Sequence, residues 1–250
     1  VNGIYIFKSV ERIGIRKSDL KPQKATVKYQ LKLGVPVSLQ FTITSIGSMC
    51  LQSAVNSFGA NVIAGFTAAG RVENLTNIPM SALGVATQTF VGQNYGAGNY
   101  KRIRSSVKKI FMLDVCISVL MSVTLYAIGE PVVSLFLTEE NPEIMAAANR
   151  YILAIAQCYS LVAVLFVMRN TLQGLGFTYA NSVAGIGEFF GRLSVAFILT
   201  PMLGFDAVCY AGPAAWLLAD IPLIIIYLVK QHKFKKLAIE QKISTLPYNS

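Results

Sequence analysis

The sequence has few of the residues on which enzyme active sites and metal centres depend. Among its 250 residues there is one histidine, His232, and there are four cysteines: Cys50, Cys116, Cys158 and Cys209. The cysteines stand singly in apolar stretches, without the Cys-x-x-Cys or Cys/His spacing that binds zinc. A catalytic set of the Ser/His/Asp or Cys/His kind is also missing. We therefore expect no metal site, no cofactor and no enzyme activity.

Charged residues are scarce as well. They make up 14% of the chain, against about one quarter in ordinary soluble domains, whereas 54% of the residues are hydrophobic. About 20 apolar residues cross the hydrocarbon core as a helix, and the sequence predicts six such spans, at 33–55, 62–91, 110–128, 144–172, 177–203 and 207–229. Strand-like alternation is lacking. We therefore expect an all-α integral membrane protein with a six-helix bundle.

Two of these spans are longer than a perpendicular helix requires. The second and the fourth runs predict tilted or kinked helices, with Pro79 as the bend in the second.

Lysine and arginine follow a regular pattern along the predicted spans. They total 22 against 12 acidic residues, a net charge of +10, and nearly all lie before the first span, between the second and third, or after the sixth. The other loops hold acids: Glu130, Glu139, Glu140, Glu143 and Asp206. Basic residues are retained in cytoplasmic loops, so both ends of this segment are predicted to be cytoplasmic. A nucleic-acid partner is not expected, because its contacts would need one clustered basic face.

The ends of the chain are predicted to lie outside the bundle. Residues 1–32 are interpreted as the end of a preceding span plus a cytoplasmic linker, 33–229 as the six-helix bundle, and 230–250 as a basic cytoplasmic tail with no fixed structure beyond a first helical turn. The chain does not open with methionine or a signal peptide, which favours an internal start.

Ionisable residues inside the predicted spans are candidates for function, because a charge in hydrocarbon is costly unless it is paired or wetted. Glu188 and Arg192 are four residues apart and share a helix face. They form either a structural ion pair or a proton-responsive, substrate-facing pair that lines a central cavity. Asp220 forms either a packing contact, for example to a main-chain group freed by Pro222, or a cation or proton site.

The second span carries a polar stripe. Glu73 and Asn77 are four residues apart, with Arg71 and Asn74 beside them, so the stripe is predicted to face a cavity rather than lipid. Arg150 and Asp114 are weaker candidates, because each lies near a predicted interface and is expected to snorkel. Arg169 lies close to the turn Gln173-Gly174-Leu175-Gly176 and remains a candidate functional residue.

The glycines in Gly96-Ala97-Gly98-Asn99-Tyr100-Lys101 predict a tight cytoplasmic turn. A phosphate-binding loop is excluded there, because no strand precedes the run and no Gly-Lys-Ser/Thr ending follows it.

Several runs of this sequence resemble one family of transporters. They are Gly34-Val35-Pro36, Val55-Asn56-Ser57-Phe58-Gly59, Thr89-Phe90-Val91-Gly92-Gln93-Asn94-Tyr95-Gly96-Ala97-Gly98-Asn99, Leu172-Gln173-Gly174-Leu175-Gly176, and Ala215-Trp216 with Asp220. Together with Glu188 and Arg192 they resemble the C-terminal lobe of multidrug and toxic compound extrusion (MATE) transporters, over about residues 24–236.

The resemblance implies one lobe of a twelve-helix transporter, whose N-terminal lobe on the same polypeptide is a partner along with the lipid bilayer and a small substrate. It implies export of cationic or amphipathic compounds by antiport against protons or sodium, through alternating access. It also implies a bacterial-type plasma membrane. If this lobe contributes to the transport cavity, we expect its cavity residues to be Glu188, Arg192, Glu73, Asp220, Asn56, Asn77 and Gln40. The first helix lacks the inward acid that some members use for the coupling cation, so sodium binding at that place is not expected.

Three other interpretations stay open from the sequence. They are a lipid or polysaccharide-precursor flippase of the same superfamily, a membrane scaffold or receptor without transport, and a half-transporter that pairs with a second copy of itself. An integral membrane enzyme is the least favoured.

Overall fold

The computed structural model describes residues 21–137 and 141–244, with side chains as far as residue 232. Within these ranges every regular element is helical, as predicted. The helices are α1 (Lys24–Val55), α2 (Ala60–Gly96), α3 (Tyr100–Ser134), α4 (Pro142–Gln157), α5 (Tyr159–Gly174), α6 (Tyr179–Ser194), α7 (Thr200–Leu203), α8 (Phe205–Cys209) and α9 (Ala211–Ser244). A 3₁₀ turn (Asn56–Phe58) joins α1 to α2, and a π-helical turn (Val195–Leu199) joins α6 to α7. Predictions for residues 1–20, Glu139 and Glu140 lie outside the described residues.

Five of the six predicted spans correspond to helices that are long and apolar enough to cross a membrane. Four are single runs, Lys24–Phe58, Tyr100–Ser134, Tyr179–Leu203 and Ala211–His232, and the fifth is the pair α4 and α5. The helix α2 occupies the position of the second span and has 37 residues. It is not among the apolar spans in the described part of the chain, because the polar stripe around Glu73 interrupts its hydrophobic run.

The kink predicted for the fourth span is confirmed. The axes of α4 and α5 differ by 56°, and the break lies at Cys158. The pair also holds much of the main core, including the fully buried Tyr159, Ile155 and Leu172. Pro79 lies inside α2, which is one uninterrupted helix from Ala60 to Gly96.

The two glycine turns are confirmed. Gly98 (φ 70°) follows the end of α2, where the Asn99 amide donates to the Asn94 carbonyl at 2.8 Å. Gly176 (φ 81°) follows α5, where the Phe177 amide donates to the Leu172 carbonyl at 2.9 Å. Both glycines have a positive φ that other residues adopt at a cost. The two turns lie at the same end of the bundle, since a Cβ on Gly92 would lie 3.5 Å from the Gly174 carbonyl oxygen. We call this end, which carries Lys101, Arg102 and Arg104, the basic end.

Both ends of the helical segment differ from the prediction. The first helix begins at Lys24, nine residues before the predicted span and inside the predicted linker. The last predicted span is divided, because Ala207 belongs to the short helix α8 and α9 begins only at Ala211. The helix α9 then continues to Ser244, so the prediction of a tail without fixed structure is wrong over most of its length. Hydropathy marks where a helix enters lipid, not where its hydrogen bonding begins or ends.

The helix α6 packs between α1 and α9, and glycines allow the close approach. A Cβ added to Gly191 would lie 2.6 Å from the Cα of Ala215 in α9, and one on Gly187 would lie 2.5 Å from the Leu218 carbonyl oxygen. On the other side of α6, a Cβ on Gly185 would lie 3.0 Å from the Gln40 side chain of α1. Small residues of this kind let helix backbones approach closely in membranes.

Candidate functional site

Four ionisable side chains from α5, α6 and α9 form a group inside the bundle, which we call the charged cluster: Arg169, Glu188, Arg192 and Asp220. Glu188 is at its centre. Its Oε2 accepts a hydrogen bond from Arg192 Nη1 at 3.2 Å, and its Oε1 accepts one from Arg169 Nη2. The side chain of Glu188 is 4% exposed, and the two arginine side chains are 13–14% exposed. The predicted pair of Glu188 and Arg192 is therefore confirmed as an ion pair, with Arg169 as a second cation.

Asp220 completes the charged cluster from α9. It is 3% exposed and lies within electrostatic range of Arg169 and Glu188. With two carboxylates and two guanidinium groups, the ionised cluster has no net charge. Neither Asp220 oxygen has a hydrogen-bond partner among the described residues, so the suggested contact to a main-chain group freed by Pro222 is wrong. Arg169 Nε is likewise buried without such a partner.

The close packing of α6 on α9 positions these charges. Gly187 and Gly191 flank Glu188 in α6 and contact the backbone of α9. This contact holds the two backbones together at the level of Ala219, next to Asp220. The glycines thus bring an acid of α6 and an acid of α9 to the same depth, where one arginine of α5 acts on both.

A second polar group lies between α2, α4 and α5, and we call it the tyrosine cluster: Glu73, Thr76, Asn77, Tyr151 and Tyr159. The Tyr151 hydroxyl donates to Glu73 Oε2 at 2.8 Å. The Tyr159 hydroxyl is 2.9 Å from Asn77 Oδ1 and 2.6 Å from Thr76 Oγ1. Tyr159 is fully buried and Tyr151 is 7% exposed. Glu73 and Asn77 of the predicted polar stripe therefore face protein, whereas Asn74 beside them is exposed. The break between α4 and α5 places one tyrosine on each side.

The two clusters are electrostatically connected through one residue. Arg192 of the charged cluster lies within electrostatic range of both Glu73 and Tyr151 in the tyrosine cluster. A change of charge at Glu73 therefore changes the potential at Arg192, and through it at Glu188.

The neutral residues predicted for the cavity do not join either cluster, apart from Asn77. Gln40 is buried against Gly185, on the α1 side of α6. Asn56 is exposed in the 3₁₀ turn and accepts a hydrogen bond from Gln52 Nε2 at 3.0 Å.

Arg71, which was predicted beside the polar stripe of α2, is exposed and lines a cleft of about 440 Å³ together with Thr67.

The two weaker candidates, Arg150 and Asp114, differ in their exposure. Arg150 is exposed and forms a 3.4 Å ion pair with Asp206 at the end of the bundle opposite the basic end, consistent with snorkelling. The prediction that Asp114 snorkels is wrong. Asp114 is fully buried, and neither of its oxygens has a hydrogen-bond partner among the described residues. It lies on the face of α3 that packs inward, with Val107 and Ser118, so the helical phase decides its burial.

The sequence did not single out the tyrosines of the second cluster. Tyr151 and Tyr159 lie eight residues apart, in two separate helices. Because the helix is broken between them, their spacing does not predict that they share a face. The signal for Arg169 was its position inside an apolar run. As for metal ligands, no group of three or more His, Cys, Asp or Glu side chains comes together in the part of the chain that the structure describes.

The chain is similar to known membrane transporters. Its sequence is 32% identical over 146 residues to "Probable multidrug resistance protein YpnP" of Bacillus subtilis (strain 168), which covers 58% of this chain and 32% of the relative. It is 27% identical to "Probable multidrug resistance protein YoeA" of the same organism, over 90% of this chain and 48% of the relative. The chain thus spans half or less of the length of these curated relatives.

The fold is similar to solved structures of the same kind. The chain superposes with a TM-score of 0.81 on the outward-facing conformation of a multidrug resistance MATE family transporter, at 21% sequence identity. The match covers 94% of this chain and 54% of that protein.

The family itself follows from a family model. The MatE model matches residues 36–198, well over half of the chain, and confirms the resemblance to MATE transporters. Because members of this family are membrane transporters, the match agrees with the expectation that the chain is not an enzyme. The chain belongs to the MatE family.

Proposed function

We propose that this chain forms one lobe of a secondary active transporter that exports cationic or amphipathic compounds by antiport against protons or sodium. The supporting observation is the charged cluster, in which Glu188 is shared by Arg169 and Arg192 while Asp220 has no hydrogen-bond partner among the described residues. Buried charges of this kind in a membrane bundle mark ion or substrate pathways. The names of the relatives support multidrug export.

The chain spans about half of the relative YoeA and of the solved transporter. We propose that a second six-helix lobe of the same polypeptide completes the transporter. We also place the basic end in the cytoplasm, in a bacterial plasma membrane, because the basic residues gather there.

In this proposal, the net charge of the cluster determines whether a proton or a cationic compound is bound. The ionised cluster is neutral, so protonation of Glu188 or Asp220 leaves it with a net charge of +1. The extra positive charge repels a cationic compound that comes near the cluster, whereas loss of the proton restores neutrality and removes that repulsion. Proton and substrate then favour different states of the transporter, which is the condition for exchange by alternating access.

The test uses the full-length protein in proteoliposomes, with efflux of a fluorescent cationic dye as the readout. We expect Glu188→Gln to reduce dye efflux driven by a pH gradient by at least 10-fold, because the neutral isostere no longer titrates. The matched control is Glu143→Gln. Glu143 is an exposed acid at the end of the bundle opposite the basic end, and it accepts a hydrogen bond from Asn61 at 2.6 Å.

Three further outcomes decide the proposal. Efflux that follows a sodium gradient without a pH gradient identifies sodium as the coupling ion. Unchanged efflux in Glu188→Gln contradicts the coupling role of the charged cluster. Equal loss in Glu143→Gln shows that the effect is not specific to the cluster.

A further inference from the structure

A small cleft of about 240 Å³ lies between α3, α5 and α9 near the basic end. Its polar lining consists of Arg104 and Lys108 of α3 and Tyr227 and Gln231 of α9. None of these residues belongs to the charged cluster or to the tyrosine cluster. We propose that this cleft binds the headgroup of an anionic phospholipid.

The positive charge of the cleft is uncompensated. Arg104 and Lys108 are four residues apart on one helix face, where two like charges repel each other. The ion pairs among the described side chains involve only Arg150, Arg169 and Arg192, so no acid there neutralises the two cations. Two cations held side by side at a helix surface attract a doubly coordinated anion such as a phosphodiester.

The helix α9 adds neutral groups on the opposite wall. Gln231 Nε2 is 3.5 Å from the Tyr227 hydroxyl oxygen, and Arg104 acts electrostatically on Tyr227. A hydroxyl and an amide therefore face the guanidinium across the cleft. Their hydrogen-bonding groups suit the oxygens of a phosphate or of a glycerol headgroup.

Along α3, away from the basic end, the lining of the cleft changes from polar to apolar. A phospholipid has the same order, with a polar headgroup followed by acyl chains. Phe111 is seven residues after Arg104, which is about 10.5 Å along the helix at 1.5 Å per residue, and it lines the cleft with Val107 and Met168. The outer surface beside the cleft is apolar, since Met112 is 59% exposed and Leu228 is 56% exposed.

This polarity favours a lipid over free phosphate. A free phosphate ion would use the basic part alone and leave the apolar part uncovered. A phospholipid places its headgroup on the bases and its first acyl carbons on Phe111 and Met168. Basic pockets between spans near a membrane surface bind anionic headgroups in this way, and tyrosine is favoured at the same level.

The test measures lipid binding to the purified full-length protein in detergent by native mass spectrometry. The probes are short-chain phosphatidylglycerol, short-chain phosphatidylcholine and inorganic phosphate. The double variant Arg104→Gln/Lys108→Gln removes the two bases of the cleft. The matched control is Lys101→Gln/Lys109→Gln, which removes two exposed lysines of the same helix that do not line the cleft.

We expect saturable binding of phosphatidylglycerol that becomes about 10-fold weaker or more in Arg104→Gln/Lys108→Gln and changes less than 3-fold in the control. Equal weakening in both variants, no weakening in either, or equal binding of phosphatidylcholine overturns the proposal. Displacement of the lipid by millimolar inorganic phosphate also overturns it, because the site is then a phosphate site.

A second variant keeps the test decisive if the double variant does not fold. Phe111→Ala leaves both bases in place and removes apolar surface from the deeper part of the cleft. We expect it to weaken phosphatidylglycerol binding while leaving binding of the water-soluble headgroup analogue glycerol phosphate unchanged. Unchanged lipid binding in this variant contradicts the assignment of the apolar part. Circular dichroism and the melting temperature establish that each variant is folded.

Discussion

The charged cluster and the tyrosine cluster solve the same problem in different ways. Each holds a carboxylate inside an apolar bundle: Glu188 is buried, and Glu73 is partly buried. In the charged cluster, Glu188 is balanced by Arg169 and Arg192, whereas in the tyrosine cluster Glu73 accepts a hydrogen bond from the neutral Tyr151. The first arrangement compensates charge with charge, and the second compensates a carboxylate with a hydroxyl dipole.

This difference decides what each cluster does when a proton or a cation arrives. We expect protonation of Glu188 to leave Arg169 and Arg192 without the carboxylate that they share, so that the two guanidinium groups repel each other. Protonation of Glu73 leaves the neutral Tyr151 hydroxyl as its direct partner and acts on Arg192 only at longer range. We therefore expect the charged cluster to respond more strongly to a proton or a cation than the tyrosine cluster does.

The largest predicted effect is in the charged cluster. We expect Arg169→Gln to lower the free energy of unfolding by about 3–5 kcal/mol, because it removes one partner of a buried ion pair. It also removes the cation nearest to Asp220, which has no hydrogen-bond partner among the described residues. The measurement is chemical unfolding in detergent micelles.

A double variant sharpens this prediction. Adding Asp220→Asn to Arg169→Gln removes the carboxylate that lost its cation, so the two changes together are expected to cost about 1–3 kcal/mol less than the sum of the single changes. Additive losses would contradict an interaction between Arg169 and Asp220.

The second effect concerns the helix contact that positions the charged cluster. Gly191→Ala places a Cβ 2.6 Å from the Ala215 Cα, so α6 and α9 must separate. We expect a loss of about 1–3 kcal/mol, which is typical of overpacking. The matched control is Gly70→Ala in α2, where the added Cβ has nothing within 4 Å. That control is expected to gain about 0.5–1 kcal/mol from its helix propensity. Equal behaviour of the two alanine variants in thermal unfolding would contradict a close contact of α6 with α9.

How far the sequence predicts these features depends on whether the signal is local. Five of the six apolar runs, the glycine turns and the pair Glu188 and Arg192 are local patterns that the structure confirms. The burial of Asp114 and the contact of Arg169 with Glu188 depend on the rotation of one helix relative to another. A sequence fixes the order of side chains around a helix, but the packing of neighbouring helices selects the face that turns inward.

The tyrosine cluster illustrates the same limit. Tyr151 and Tyr159 reach Glu73 and Asn77 because the helix is broken between them at Cys158. The length of the apolar run 144–172 predicts a tilted or kinked helix, but it does not locate the break of 56° at Cys158, because apolar residues lie on both sides of it. A polar residue pair across such a break is visible only in three dimensions.

The third effect concerns the tyrosine cluster. We expect Tyr159→Phe to lower the free energy of unfolding by about 1–2 kcal/mol, because it removes a buried hydroxyl placed between Thr76 and Asn77. Tyr126→Phe is the matched control, since Tyr126 is 51% exposed on α3, and we expect it to change stability by less than 0.5 kcal/mol. We also expect Tyr159→Phe to retain ion-driven dye efflux, because it removes no charge. Loss of efflux in a folded Tyr159→Phe protein would place the tyrosine cluster in the transport pathway.

The smallest effect is at the end of the bundle opposite the basic end. Arg150 and Asp206 form an ion pair of 3.4 Å, with side chains 63% and 67% exposed. Water and salt screen such a pair, so Arg150→Gln is expected to cost about 0–1 kcal/mol and less at high ionic strength. Arg169→Gln is expected to lower the free energy of unfolding several times more. This loss is expected to be almost independent of salt, since the Arg169 side chain is 14% exposed. Unfolding of both variants at low and at high salt measures the contrast directly. A large, salt-independent loss in Arg150→Gln would show that this end of the bundle is covered in the full-length protein and that burial, not residue type, sets the cost.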